Sequence, residues 1–228
     1  MDYTYSDIAK MIDHSLLNPT MDQDTLDEGV RIALKYDVAS VCIMPYALKR
    51  CADMLQGSAV KASTTIGFPH GGHTTAIKVA EARQALADGG GELDMVVNIS
   101  KVLSRDWDYV RKDIKAVVDV THEAGQKVKV IFENCYIQDE HRIRLCEICG
   151  EIGADWVKTS TGYGTGGANH EDLKLMRKHS PDRVQVKAAG GVRTLDALLE
   201  VRAMGVTRVG ASRTVEMLDE CKKRLGLS

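Results

Sequence analysis

The chain has 228 residues, 44% of them hydrophobic, and a formal net charge of -2, which suits one sizeable core of about the length of a single α/β barrel. The near-neutral balance excludes an extended nucleic-acid or anionic-membrane surface and leaves room only for a local basic pocket. No apolar run approaches the roughly 18 residues that span a bilayer, the opening MDYTYSDIAK is polar and acidic rather than a signal peptide, and six cysteines in a chain this long make no disulfide framework, so the expected compartment is the cytoplasm.

Short β-rich segments alternate with longer amphipathic ones along the whole chain. The expected strands are 11–14, 39–43, 61–66, 92–97, 127–133, 155–160, 183–187 and 208–211; the helices between and after them are 22–36, 45–55, 75–88, 106–124, 139–152, 170–178, 195–203 and 214–225. Eight βα units are the number that closes a parallel barrel. With no low-complexity linker to divide the chain, the expectation is an α/β fold: a single TIM (β/α)8 barrel over 1–228 with a short N-terminal extension.

Side-chain parity supports this reading, because successive strand residues face opposite sides of a sheet. In KVKVIFE, Val128, Val130 and Phe132 share an apolar face, opposite Lys127, Lys129, Ile131 and Glu133. Val157 opposes Lys158, Val184 and Val186 oppose Lys187, and Leu93, Met95 and Val97 oppose Asp94. In a barrel wrapped by helices the apolar faces meet the helices, so Lys129, Glu133, Lys158, Lys187 and Asp94 are expected to form one interior cluster. Buried charges must be paired, and such clusters are where proton affinities are displaced enough to do chemistry.

Lys158 and Lys187 end consecutive strands, at the barrel end where active sites are built. Two neighbouring ammonium groups disfavour each other's charge, so one lysine can lose its proton near neutrality and act as an amine nucleophile toward a carbonyl. Each lysine is followed by glycines, in GYGTGG (162–167) and AAGGVRT (188–194). Bare backbone N–H groups there, and at the helix start after Gly210, Ala211 and Ser212, suit a phosphate, with Gly162, Gly190 and Gly191 in the loops and Arg193 and Arg213 as added charge.

Other readings compete at several points. Gly162, Gly164 and Gly167 satisfy G-x-G-x-x-G, yet the next strand ends in Lys187 rather than in the acid of a dinucleotide site. His70 and His73 with Glu133 are a zinc alternative; Cys146 and Cys149 have C-x-x-C spacing but lie on a helix without a second pair, and read as packing. Cys42, near a strand end, is a buried thiol or an adduct site beside the pocket. A phosphosugar-binding barrel without catalysis would keep the phosphate loops but has no need of two lysines and an inward aspartate.

The segments IDHSLL (12–17), ASVCI (39–43), IGFPHG (66–71), ELDMVVNI (92–99), KVIFE (129–133), GADWVKTSTGY (153–163), VKAAGGVRT (186–194) and GAS (210–212) together resemble deoxyribose-phosphate aldolases, in order and over nearly the whole chain. The resemblance implies a class I aldolase on a TIM barrel, acting on a small phosphorylated sugar and acetaldehyde without metal or other cofactor, with no nucleic-acid or membrane partner, as a homodimer. It implies Lys158 as Schiff-base nucleophile, Lys187 as the neighbour that lowers its proton affinity, Asp94 as proton-transfer residue acting through water, and Asp13 as organiser of that network. Met44, Ala189 and Asn134 depart from the pattern, Tyr163 and Arg213 occupy phosphate-side positions that vary among relatives, and all five bear on substrate fit.

Overall fold

In the computed structural model, which describes residues 2–227, eight parallel strands close into a barrel in the order of the sequence. They are β1 Ile12–Leu16, β2 Ser40–Ile43, β3 Lys61–Ile66, β4 Glu92–Val96, β5 Lys127–Ile131, β6 Trp156–Lys158, β7 Gln185–Ala189 and β8 Val206–Ala211. β8 pairs back with β1, with Asp13 opposite Gly210. The expected (β/α)8 barrel is the fold observed.

Ten α-helices accompany the strands: α1 Tyr5–Ala9, α2 Gln23–Lys35, α3 Leu48–Met54, α4 Thr75–Ala87, α5 Ile99–Leu103, α6 Trp107–Glu123, α7 Asp139–Ile152, α8 His170–His179, α9 Leu195–Ala203 and α10 Thr214–Leu225. Many start where a short polar side chain takes a free backbone N–H. Asp22 accepts from Thr25, Asp106 from Tyr109, Asn169 from Asp172 and Thr194 from Ala197. The main core lies between strands and helices, where Val128, Val130, Phe132, Val157, Val184 and Val186 are fully buried, as parity required.

Four local differences from the sequence expectation have physical causes. The N-terminal extension contains α1, started by a capping box between Thr4 and Asp7. Asn98 caps the unexpected α5. The expected helix 45–55 opens with a 3₁₀ turn at Pro45–Ala47. β5 stops at Ile131 because Glu133 sits in the left-handed region, φ 57°, where the ladder cannot continue.

Candidate active site

Register places the charged residues. Asp94 on β4 lies beside Lys129 on β5, and Lys158 on β6 beside Lys187 on β7. Asp94, Asp13 and Lys129 are fully inaccessible, and Lys187 and Lys158 nearly so. Charges so placed survive only in pairs. Lys158 Nζ donates to Asp94 Oδ2 at 2.8 Å, and Lys187 Nζ donates to the same oxygen at 2.7 Å. Lys187 also lies 2.5 Å from Asp13 Oδ2, and Lys129 donates to the other oxygen of Asp94 at 2.9 Å. Lys158 at the end of β6 and Lys187, which lies in the middle of β7 rather than at its expected end because that strand continues to Ala189, therefore converge on one carboxylate oxygen.

The surroundings treat these lysines differently. Burial pushes the proton affinity of Lys158 down and the adjacent Lys187 adds to the effect; Asp94 opposes both, and the net result is below the usual lysine range. Burial also opposes charge on Lys187, but Asp13 and Asp94 outweigh it and hold that ammonium above the usual range. Asp94 has its burial penalty overcome by Lys129, Lys158 and Lys187, and stays well below the usual carboxylate range. Asp13 is held down in the same way by Lys129, Lys187 and Arg208 against its burial. The second cation contributes, but desolvation of Lys158 is the larger influence.

Above the cluster opens a cavity of about 200 Å³. One wall carries Lys158, Lys187, Asp13 and Cys42; the other is backbone and small side chains at Gly162, Gly190, Gly191, Gly210, Ala211 and Ser212, with Arg193 at the edge. Asp94 lies beneath the lysines, out of the cavity itself. Gly190 and Gly191 have φ of 78° and 97°, which only glycine adopts freely. A Cβ at Gly167 would stand 2.5 Å from the Gly190 carbonyl oxygen, so the loops after β6 and β7 pack backbone to backbone. α10 begins beside Ser212 without a side-chain cap, so its first N–H groups remain available to an anion. His14 fixes that helix start, with Nδ1 2.7 Å from Thr214 Oγ1.

Several expected residues lie elsewhere. Arg213 is exposed and 3.6 Å from Glu216 rather than on the cavity wall. Glu133 does not join the lysine cluster; it accepts from Thr161 N at 3.1 Å and from the Thr161 hydroxyl, clamping the loop after Lys158. Glu133→Ala would leave those buried donors unpaired, at a cost of about 1–3 kcal/mol, read as a lowered thermal midpoint. Among the described residues no group of three or more His, Cys, Asp or Glu could hold a metal ion; His73 pairs with Glu81 at 3.0 Å, so the zinc alternative finds no assembled site. Cys146 and Cys149 are buried in α7, as packing requires. Asn134 is buried against Asp172 of α8, and Met44 borders a separate apolar hollow with Leu17 and Phe68. Tyr163 donates its hydroxyl to Leu17 O at 2.6 Å and meets Phe68 edge-on at 5.5 Å, tying three strand-end loops together.

Two functional candidates escaped the sequence reading. Arg208 on β8 donates to Asp13 at 2.5 Å and to Glu92 at 2.8 and 3.1 Å, and Glu92 lies 2.5 Å from Lys129. Parity held the signal, since Glu92 shares a face with Asp94 and Arg208 with Gly210. Trp156, inward like Lys158, lies under Arg208 with 4.8 Å from guanidinium to ring centre.

Known proteins resemble this chain in sequence and fold. Deoxyribose-phosphate aldolase of Rhodopirellula baltica is 69% identical over 226 residues, spanning 99% of this chain and 94% of its own. That of Thermococcus gammatolerans is 46% identical, spanning 93% and 96%. The solved structure of deoxyribose phosphate aldolase from Aeropyrum pernix, described as a unique tetramer, matches with a TM-score of 0.88 at 29% identity, over 97% of this chain and 93% of that one. An aldolase designated QR15 matches at 0.91 with 34% identity, over 97% and 99%. Residues 8–211 match the profile of the DeoC/LacD family aldolases, and with a lysine pair sharing one buried carboxylate at the cavity floor, the chain belongs to that family.

Proposed function

We propose that the protein is a class I aldolase that reversibly cleaves 2-deoxy-D-ribose 5-phosphate to acetaldehyde and D-glyceraldehyde 3-phosphate through a Schiff base on Lys158. The observation that carries this is the contrast within the lysine pair: Lys158 faces the cavity with its proton affinity depressed, while Lys187 is held charged beside it. The close relatives named for this substrate support the same reading.

In the cleavage direction the neutral Lys158 amine adds to the aldehyde carbon, and loss of water leaves an iminium. The 3-hydroxyl then gives up its proton as the bond between carbons 2 and 3 breaks, with the electron pair flowing into the iminium to form an enamine. Glyceraldehyde 3-phosphate departs. Protonation of the enamine carbon and hydrolysis release acetaldehyde and restore the amine. Asp94, kept ionised by the Lys129 and Lys187 ammonium groups, orients Lys158 and relays protons through water, a contribution typically worth roughly 10²–10⁴-fold; Asp13 holds Lys187 in place. The phosphate sits against Gly162, Gly190, Gly191, Gly210, Ala211 and Ser212, near Arg193 and the N-terminus of α10, while Cys42 borders the reacting carbon's side of the cavity.

One catalytic domain is proposed, supported by the closure of all eight strands into one barrel. No helix among the described residues is long and apolar enough to cross a membrane, and all six cysteines are free, which suits the reducing cytoplasm. A homodimer is the assembly to test by light scattering.

Intact-protein mass after incubation with acetaldehyde and borohydride, followed by peptide mapping, tests the function. A reduced adduct on Lys158 is expected. Sugar-phosphate binding without adduct or turnover would replace the aldolase with a binding barrel. Lys187→Leu adds a pH test. The neighbouring cation lowers the proton affinity of Lys158, so its loss raises that affinity and moves the acid limb of activity to higher pH. An acid limb displaced upward by one pH unit costs about tenfold in rate at neutrality, and an unchanged pH–rate profile would overturn the role of Lys187.

A further inference from the structure

The interior cluster is one connected set of ions. Asp13, Glu92 and Asp94 supply three carboxylates; Lys129, Lys158, Lys187 and Arg208 supply four cations. With every group ionised the set carries one positive charge too many, inside a barrel where an uncompensated charge is costly. The cations are not equally held. Lys129 touches three carboxylates, while Lys187 and Arg208 each touch two. Lys158 touches Asp94 alone, and among these four cations only Lys158 and Lys187 line the cavity. The least-held cation is thus also one that can pass its proton to solvent.

We propose that Arg208 and Glu92 are positioning residues whose opposed charges set the balance of the barrel interior, so that the connected cluster is neutral when Lys158 carries no proton. They act from a distance, without touching substrate. Arg208 lies over the Trp156 ring and is forked between Asp13 and Glu92, a geometry suited to a planar, permanently charged group. Glu92 in turn anchors Lys129, which fixes the far oxygen of Asp94.

Charged and titratable groups reach the interior from most of the strands around Lys158. β1 presents Asp13, β2 Cys42, β4 Glu92 and Asp94, β5 Lys129, β7 Lys187 and β8 Arg208. Lys127, at the exposed start of β5, lies over the Trp156 ring at 5.2 Å, outside the connected ion pairs. The buried groups of β3 on this face are the neutral Ser63 and Thr65, with Lys61 exposed at the strand start. Cys42 is kept in its thiol form, because burial raises its proton affinity and Asp94 adds to that. Glu133 stands outside the connected set, bound to Thr161.

The inference rests on Lys158 being the Schiff-base nucleophile, and the test separates the two claims. Borohydride trapping of acetaldehyde on Lys158 is followed against pH in the wild type, Arg208→Met, Glu92→Gln and the double variant. Removing the arginine leaves three carboxylates and three cations, a set neutral with Lys158 protonated, so the trapping midpoint moves up. Removing the carboxylate adds to the positive excess, so the midpoint moves down. Each displacement is on the order of one pH unit, and the double variant returns toward the wild type. A structural role alone does not produce opposite displacements that cancel. Single variants that move in the same direction or not at all, or a double variant that fails to return, overturn the proposal. Arg208→Lys keeps the charge and loses the fork, and is expected to keep the midpoint; a midpoint moved well above that of the wild type overturns it too. Should Arg208→Met fail to fold, Glu92→Gln and Arg208→Lys still decide. Absence of any Lys158 adduct in the wild type would instead sink the aldolase reading.

Discussion

Replacing Lys158 with methionine is expected to abolish trapping by acetaldehyde and borohydride and to lower turnover by at least about 10⁴-fold, because no other step can proceed without the covalent intermediate. The change also removes the least-held amine of the interior cluster, which distinguishes it from most active-site truncations. Lys187 and Lys129 still hold Asp94 at 2.7 and 2.9 Å, so no carboxylate is orphaned, and the cluster can no longer take up a surplus positive charge. The variant should therefore fold with a thermal midpoint at or above that of the wild type. Loss of activity with retained stability is the expected pair of results. Residual trapping on Lys187 would show that the second lysine is also neutral in part; turnover within about tenfold of the wild type would exclude Lys158 as the nucleophile.

Asp94→Asn is expected to damage both stability and catalysis. Three lysine side chains converge on that carboxylate, Lys129 and Lys187 as ammonium groups, and taking away one side of a buried charge pair typically costs about 3–5 kcal/mol. At about 2–4 °C per kcal/mol for a chain of this size, the thermal midpoint should fall by roughly 10 °C. The sign of the pH dependence follows from where the proton affinity of Asp94 lies. In the folded state it is below its unfolded value, so its contribution is present in full above the ordinary carboxylate range near about pH 4 and fades as pH drops through the folded value. Wild type and variant should therefore differ most at neutral pH and converge in strong acid. Measured well below the variant's midpoint, kcat should fall by about 10²–10⁴-fold as the proton relay is lost. A variant with wild-type kcat would leave Asp94 with a purely structural role.

Much of this arrangement was legible because a barrel strand alternates rigidly between two environments. Lys158, Lys187, Lys129 and Asp94 each stood opposite a run of valines, leucines or methionines, and their inward direction followed from that alone. Glu133 failed the same test: parity holds only while the backbone stays extended, and a left-handed φ of 57° turns that side chain toward Thr161. Arg213 failed for a different reason. Its position after the Gly210–Ser212 turn could be read, but not the direction of a long, exposed side chain that settles beside Glu216. Glu92 and Arg208 had the right parity, yet they lie at or near the starts of their strands, away from the strand ends where barrel substrates bind.

The ion pair between Asp13 of β1 and Arg208 of β8 joins the first strand to the last, at 2.5 Å. Together with the pairing of Lys187 to Asp13 near the same seam, it makes the depressed proton affinity of Lys158 a product of ring closure. On a ribosome, a nascent chain that has exposed β6 but not yet β8 has an open, water-filled edge where that seam will form, and its Lys158 is an ordinary protonated lysine. The fold thus withholds the buried surroundings that depress the proton affinity of Lys158 until the eighth strand has joined the first.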